Sequence, residues 1–164
     1  MALSDIEIRQ ATRKKQLVVH PRAHVNPAGI DLRTDRSLTL KPHQQTLAAT
    51  IEHIELPRTL AGILHLRSSL AREGLIASLA LVDPGYKGQL TISLYNAGAS
   101  PVKLKQGERF IQLSLLRLNE PALKSYRGKY QNSRGIVASK RRRKSYSHRT
   151  ERVIHSTRTK GRRQ

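Results

Sequence analysis

The sequence predicts a mainly β domain, a distorted, jelly-roll-like barrel with one short helix at its N-terminus. Seven short segments alternate or run apolar, at 30–33, 37–40, 46–53, 61–66, 89–95, 102–104 and 110–117. Pro, Gly, Asn or Asp separates most of them, the usual punctuation between strands. A helix-start signature occurs near the N-terminus, ahead of the strand-like segments. Many short strands at close spacing favour a barrel or a pair of packed sheets over a βαβ arrangement.

The helix begins at Ser4-Asp-Ile-Glu7. Ser4 can accept from the first free backbone N–H groups, and Glu7, three residues on, completes a capping box. The helix should end before Val18-Val-His-Pro21. His20 and His24 have the spacing of a helical metal pair, but Pro21 between them argues against helix there. Asn96-Ala-Gly98 and Lys105-Gln-Gly-Glu108 read as hairpin turns. Asp83-Pro-Gly-Tyr86 reads as a tight turn, with Pro at the first central position and Gly tolerating positive φ at the second.

Composition narrows the class. The chain has 164 residues, enough for one domain of ordinary size. Aromatics make up 4%, so the core must be built from Leu, Ile, Val and Ala. No apolar run approaches the roughly 18 residues that span a bilayer, and no signal peptide is evident, so a cytoplasmic protein without membrane contact is expected. Cysteine is absent. That removes disulfides, a thiolate nucleophile and the cysteine-ligated zinc of one deaminase class.

The formal charge of +20 is unevenly placed: the stretch from Lys140 to Gln164 holds eleven of the 31 Lys and Arg but one acid. Residues 1–139 are therefore expected to form the folded domain, and 140–164 a basic, disordered tail. Lys140-Arg-Arg-Arg-Lys144 has the charge for nonspecific nucleic-acid contact.

Chemistry concentrates in Arg67-Ser-Ser-Leu-Ala-Arg-Glu-Gly-Leu75 and Val82-Asp-Pro-Gly-Tyr-Lys-Gly-Gln-Leu90. Guanidinium groups fork onto phosphate oxygens, hydroxyls add short donors, and a fixed carboxylate orients or deprotonates water. A nucleoside triphosphate suits such a set.

These segments, with Leu94-Tyr-Asn96 and Lys129-Tyr-Gln-Asn-Ser-Arg-Gly-Ile-Val-Ala-Ser139, resemble dCTP deaminase. Ala28-Gly-Ile-Asp-Leu32, the run from Asp83 to Gly98 and Gly107-Glu-Arg-Phe-Ile-Gln112 are more similar to the trimeric dUTP diphosphatases (dUTPases) of the same superfamily. The resemblance runs in consistent order over most of the chain, leaving out the tail. It implies a dUTPase-like β-clip fold and a homotrimer with active sites between subunits. It implies that Arg67, Ser68, Ser69 and Arg72 hold phosphates, and that Tyr86 packs against deoxyribose. Gln112, Tyr126, Lys129 and Arg134 would close over the triphosphate, and Thr91 and Ser93 would line the base. Asp31 would reach Mg2+ through water, and Asp83 would position the attacking water.

Ser93 decides between the two chemistries. Ten residues beyond Asp83, the deaminases carry the glutamate that shuttles protons between water and the pyrimidine; here the residue is Ser93. A serine hydroxyl cannot perform that transfer alone, and Thr91 is no better. Ile136, after Arg134-Gly135, stands where the diphosphatases place an aromatic over the uracil. The expected activity is Mg2+-dependent hydrolysis of dUTP to dUMP and pyrophosphate. The alternatives left open are dCTP deamination by another proton shuttle, and a non-catalytic relative that binds nucleotide or nucleic acid.

Overall fold

A computed structural model describes residues 1–78 and 80–141. Of the expected basic tail, only Lys140 and Arg141 fall within it; the remainder, and the nucleic-acid contact expected of it, lie outside the described residues.

Helix α1 (Asp5–Arg13) starts as the sequence predicts. The Ser4 side chain accepts from the Glu7 N–H, and the Glu7 carboxylate accepts from the Ser4 N–H at 3.0 Å. Eleven strands follow: β1 (Val18–His20), β2 (His24–Asn26), β3 (Gly29–Arg33), β4 (Leu38–Leu40), β5 (Gln45–Glu55), β6 (Leu60–Leu66), β7 (Leu75–Ala77), β8 (Leu81–Val82), β9 (Lys87–Asn96), β10 (Val102–Leu104) and β11 (Arg109–Arg117). A second helix, α2 (Ser68–Arg72), follows β6.

The strands pair antiparallel in three sheets, ordered β1-β5-β9-β7, β2-β3-β11-β6-β8 and β10-β4. The mainly β, jelly-roll-like class holds, but the described sheets stay open instead of closing into one barrel. One core joins the two large sheets: Leu90, Ile92 and Leu94 of β9 belong to the same buried cluster as Leu64 of β6 and Leu113 and Leu115 of β11. Strict alternation along β9 leaves Gln89, Thr91 and Ser93 half-buried between those core positions. Among the described residues, no helix is long and apolar enough to cross a membrane.

The two expected hairpins are corrected. Gly98 N–H donates to the Asn96 side chain, and Glu108 N–H to the Lys105 carbonyl, so both are tight turns. The strand between them, β10, nevertheless pairs with β4. A local turn signal fixes the reversal of the chain but not the partner of the next strand. The Asn96 amide also donates to the Leu40 and Ser100 carbonyls, holding the turn against the end of β4.

The β5–β9 ladder shifts between Ala49 and His53, and within that break Glu52 is fully buried. Its carboxylate accepts from the Arg33 backbone N–H at 2.8 Å and from Arg33 Nε at 2.7 Å. Removing it would strand a half-buried guanidinium and a backbone donor. Glu52→Ala is expected to lower stability by about 3 kcal/mol, read from the midpoint and slope of urea unfolding.

Candidate active site

The turn between β8 and β9 builds one wall of a cleft of about 740 Å3. Tyr86 N–H donates to the Asp83 carbonyl at 3.1 Å, and Gly85 takes φ +82°. Glycine is required there, because any Cβ would collide with Ser125 at 2.5 Å. The turn leaves Asp83 exposed at the cleft and buries Tyr86. The Tyr86 ring lies 5.6 Å from that of Tyr126, tilted by 59°, and its hydroxyl donates to the Gln89 carbonyl at 2.7 Å. Burial pushes the Tyr86 phenol up to about 12, so it stays a neutral donor at ordinary pH.

Five residues singled out in the sequence meet in this cleft: Asp83, Tyr86, Thr91, Ser93 and Tyr126. Its volume suits a small organic ligand. The Asp83 carboxylate has no hydrogen-bond or ion-pair partner among the described residues, so it is free to hold water.

The chain after β11 returns across the cleft as a strap. Asn132 N–H donates to the Lys87 carbonyl, Gln89 N–H to the Ser133 carbonyl, and Gly135 N–H to Gln89 Oε1 at 2.6 Å. Val137 N–H donates to Thr91 Oγ1 at 3.0 Å, and the same hydroxyl donates to the Gly135 carbonyl at 3.3 Å. Val137 lines the cleft, whereas Ile136 does not. Lys129 and Arg134 ride on the strap but are exposed and do not line the cleft.

Gly88 permits this docking. It has φ +143°, and a Cβ would stand 2.8 Å from Ser133 N and 2.9 Å from the Tyr86 hydroxyl. Gly88→Ala is therefore expected to lift the strap, so that trypsin cuts after Lys129 and Arg134 several times faster than in the wild type while the domain still unfolds cooperatively.

The phosphate-binding candidates gather elsewhere. Arg67 sits at the end of β6, while Ser68, Ser69 and Arg72 lie on the exposed face of α2. Asp31, buried on β3, accepts from Asn26 Nδ2 at 2.7 Å, and its other oxygen lies 3.4 Å from Arg109 Nη1 and 3.8 Å from Arg67 Nε. Gln112 stands opposite Asp31 in the β3–β11 register. Asp31 thus holds two guanidinium groups side by side at a strand end.

Val82 is level with Gly62 on β6, so Asp83 leaves the sheet near Ala61, and Arg67 lies beyond the far end of that strand. At about 3.3 Å per residue the two are about 20 Å apart, farther than an arginine side chain reaches. Within one copy of the chain the two groups of candidates therefore stay apart. No cluster of three or more His, Cys, Asp or Glu suited to a metal occurs among the described residues.

Gln45, Gln89, Tyr130 and Arg109 were not singled out in the sequence. Period-two counting from Thr91 would have found Gln89, and Tyr130 adjoins the chosen Lys129. Gln45 and Arg109 depend on cross-strand register, which the sequence does not display.

A sequence model described as "dCTP deaminase-like" matches residues 34–118. Over 127 residues the chain is 47% identical to a protein of Thermococcus kodakarensis named "dCTP deaminase", covering 77% of this chain and 82% of that one. It is 34% identical over 157 residues to a protein of Sulfolobus islandicus rod-shaped virus 1 named "Probable deoxyuridine 5'-triphosphate nucleotidohydrolase", covering 85% and 99%. A solved mutant dUTPase from phage phi11 of S. aureus, described as coordinating a structural Mg(II) ion, shares the fold with a TM-score of 0.56 at 20% identity. That likeness covers 68% of this chain and 97% of the phage protein. The chain belongs to the dCTP deaminase-like family, within the superfamily that joins dCTP deaminases and dUTPases.

Proposed function

We propose that the chain hydrolyses dUTP to dUMP and pyrophosphate, with Asp83 positioning the attacking water. One observation carries this reading. Tyrosines aside, Asp83 is the only ionisable side chain lining the cleft among the described residues, and the position that a deaminating glutamate would occupy holds Ser93. Deamination needs a group that takes a proton from water and returns it to the ring and the leaving amine. Hydrolysis at phosphorus needs less: an oriented water and neutralisation of charge on the phosphates.

In this mechanism the uracil enters the cleft and deoxyribose lies against Tyr86. The Asp83 carboxylate orients the water and takes its proton as the water oxygen bonds to the α-phosphorus, the bond to the bridging oxygen breaks and pyrophosphate leaves. Arg67, Ser68, Ser69, Arg72 and Gln112 supply donors to the phosphates. Because Arg67 lies about 20 Å from Asp83, by the strand spacing, those donors come from a second copy of the chain. A homotrimer, as the family resemblance implies, closes such a head-to-tail arrangement. The exposed Lys129 and Arg134 add donors from the strap.

Mg2+ holds few protein ligands and keeps phosphate and water oxygens, so one carboxylate on the phosphate side suffices. Asp31 fits that role through water, because Asn26, Arg67 and Arg109 already occupy its own oxygens. When bound, the ion would neutralise charge on the triphosphate.

Deamination of dCTP is the second reading, favoured by the name of the Thermococcus relative at 47% identity. Anion-exchange separation of products after incubation with Mg2+ and either nucleotide distinguishes the two. Conversion of dUTP to dUMP, with dCTP untouched, is expected; dUTP or dUMP arising from dCTP would overturn the hydrolytic reading.

A further inference from the structure

Uracil and cytosine differ at ring position 4, where one carries an oxygen that accepts and the other an amine that donates. A cleft that distinguishes them with a side chain needs a polar group whose direction is fixed and whose hydrogen bond is unspent. Three of the polar side chains nearest Ser93 along β9 and the strap are already committed to the fold. Thr91 donates to the Gly135 carbonyl and accepts from Val137 N–H. The Gln89 amide is divided between the Ile51 carbonyl and Gly135 N–H. Ser133 donates to the Tyr130 carbonyl.

Ser93 is different. Its oxygen accepts from Gln45 Nε2 at 2.7 Å, both residues line the cleft, and its hydrogen has no acceptor among the described residues. A hydroxyl has one donor and two lone pairs, so an amide N–H on one lone pair turns the hydrogen away from Gln45. Resting on the hydrolytic reading, we propose that Gln45 is a positioning residue that fixes Ser93 as a donor, and that this pair selects a 4-oxo over a 4-amino pyrimidine. The serine at the position of the deaminating glutamate would then have a task of its own: favouring uracil over cytosine.

Calorimetric titration of the full-length protein with Mg2+ and the α,β-imido analogues of dUTP and dCTP tests the pair. The wild type should bind the uracil analogue more tightly. Gln45→Leu frees the hydroxyl to rotate and should reduce the ratio of the two affinities about tenfold, the worth of one hydrogen bond. Gln45→Glu supplies an acceptor that draws the Ser93 hydrogen away from the cleft, so the preference should shift toward the cytosine analogue. A packing role alone would weaken both analogues equally and leave their ratio unchanged, which would overturn the proposal. A preference for uracil that grows in Gln45→Leu would mean that the amide is turned the other way, and would also overturn it. Wild-type binding of neither analogue would refute the hydrolytic reading instead, and thermal unfolding of each variant identifies any that fails to fold.

Discussion

In Asp83→Asn, turnover of dUTP is expected to fall about 10²- to 10⁴-fold, the usual contribution of a positioned general base. Nucleotide affinity should change little. The asparagine keeps the shape of the side chain and its place in the turn, where only the backbone carbonyl is used, accepting from Tyr86 N–H. It removes the negative oxygen that draws a hydrogen of water toward the protein. Because the Asp83 carboxylate makes no hydrogen bond or ion pair with any described residue, the substitution orphans no donor, and loss of rate cannot be traced to a collapsed cleft. Single-turnover rates with saturating dUTP, beside titration of the imido analogue, separate the two effects. Full turnover in the variant would remove Asp83 from the mechanism and move the search for the water-holding group to the phosphate side.

The candidate residues that line the cleft were legible because they lie close together along the chain. Asp83 and Tyr86 share one turn, and Thr91 and Ser93 follow on the next strand, so local spacing already groups them. The helix start at Ser4 was legible for the same reason: both halves of its capping box lie within four residues. What escaped was short or non-local. Strands β1, β2, β7 and β8 have two or three residues each, too few to show a period. Helix α2, five residues long, is likewise too short to show a helical period. The expected hairpins failed because β10 chooses β4, a partner more than sixty positions away in register, over its neighbours in sequence. Gln45 reaches Ser93 only because β5 and β9 pair along their length. The sequence contains both groups of candidate side chains; the sheet order sets them near opposite ends of β6.

That division leads to the second large effect. On the proposed mechanism Arg67→Ala should be inactive or nearly so, because it removes a guanidinium assigned to the phosphates, and Asp83→Asn should be inactive because it removes the carboxylate assigned to the water. If each site takes Asp83 from one copy and Arg67 from another, the two defects can be separated into different subunits. Unfolding the variants together in equal amounts and refolding them should then restore about a quarter of wild-type activity, the share of sites that draws both intact residues under random assembly of a cyclic oligomer. Each variant refolded alone should stay at its own low rate. Light scattering on the mixture should give the mass of three 18.5 kDa chains, less if the assembly is smaller than the family resemblance implies. Mixed oligomers without recovered activity would place both residues in one subunit, and would require the chain to bring Arg67 across the length of β6 on binding nucleotide. The register of β8 on β6 argues against such a movement, since the strand between them pairs along its whole length with β11 and belongs to the same core as the cleft floor.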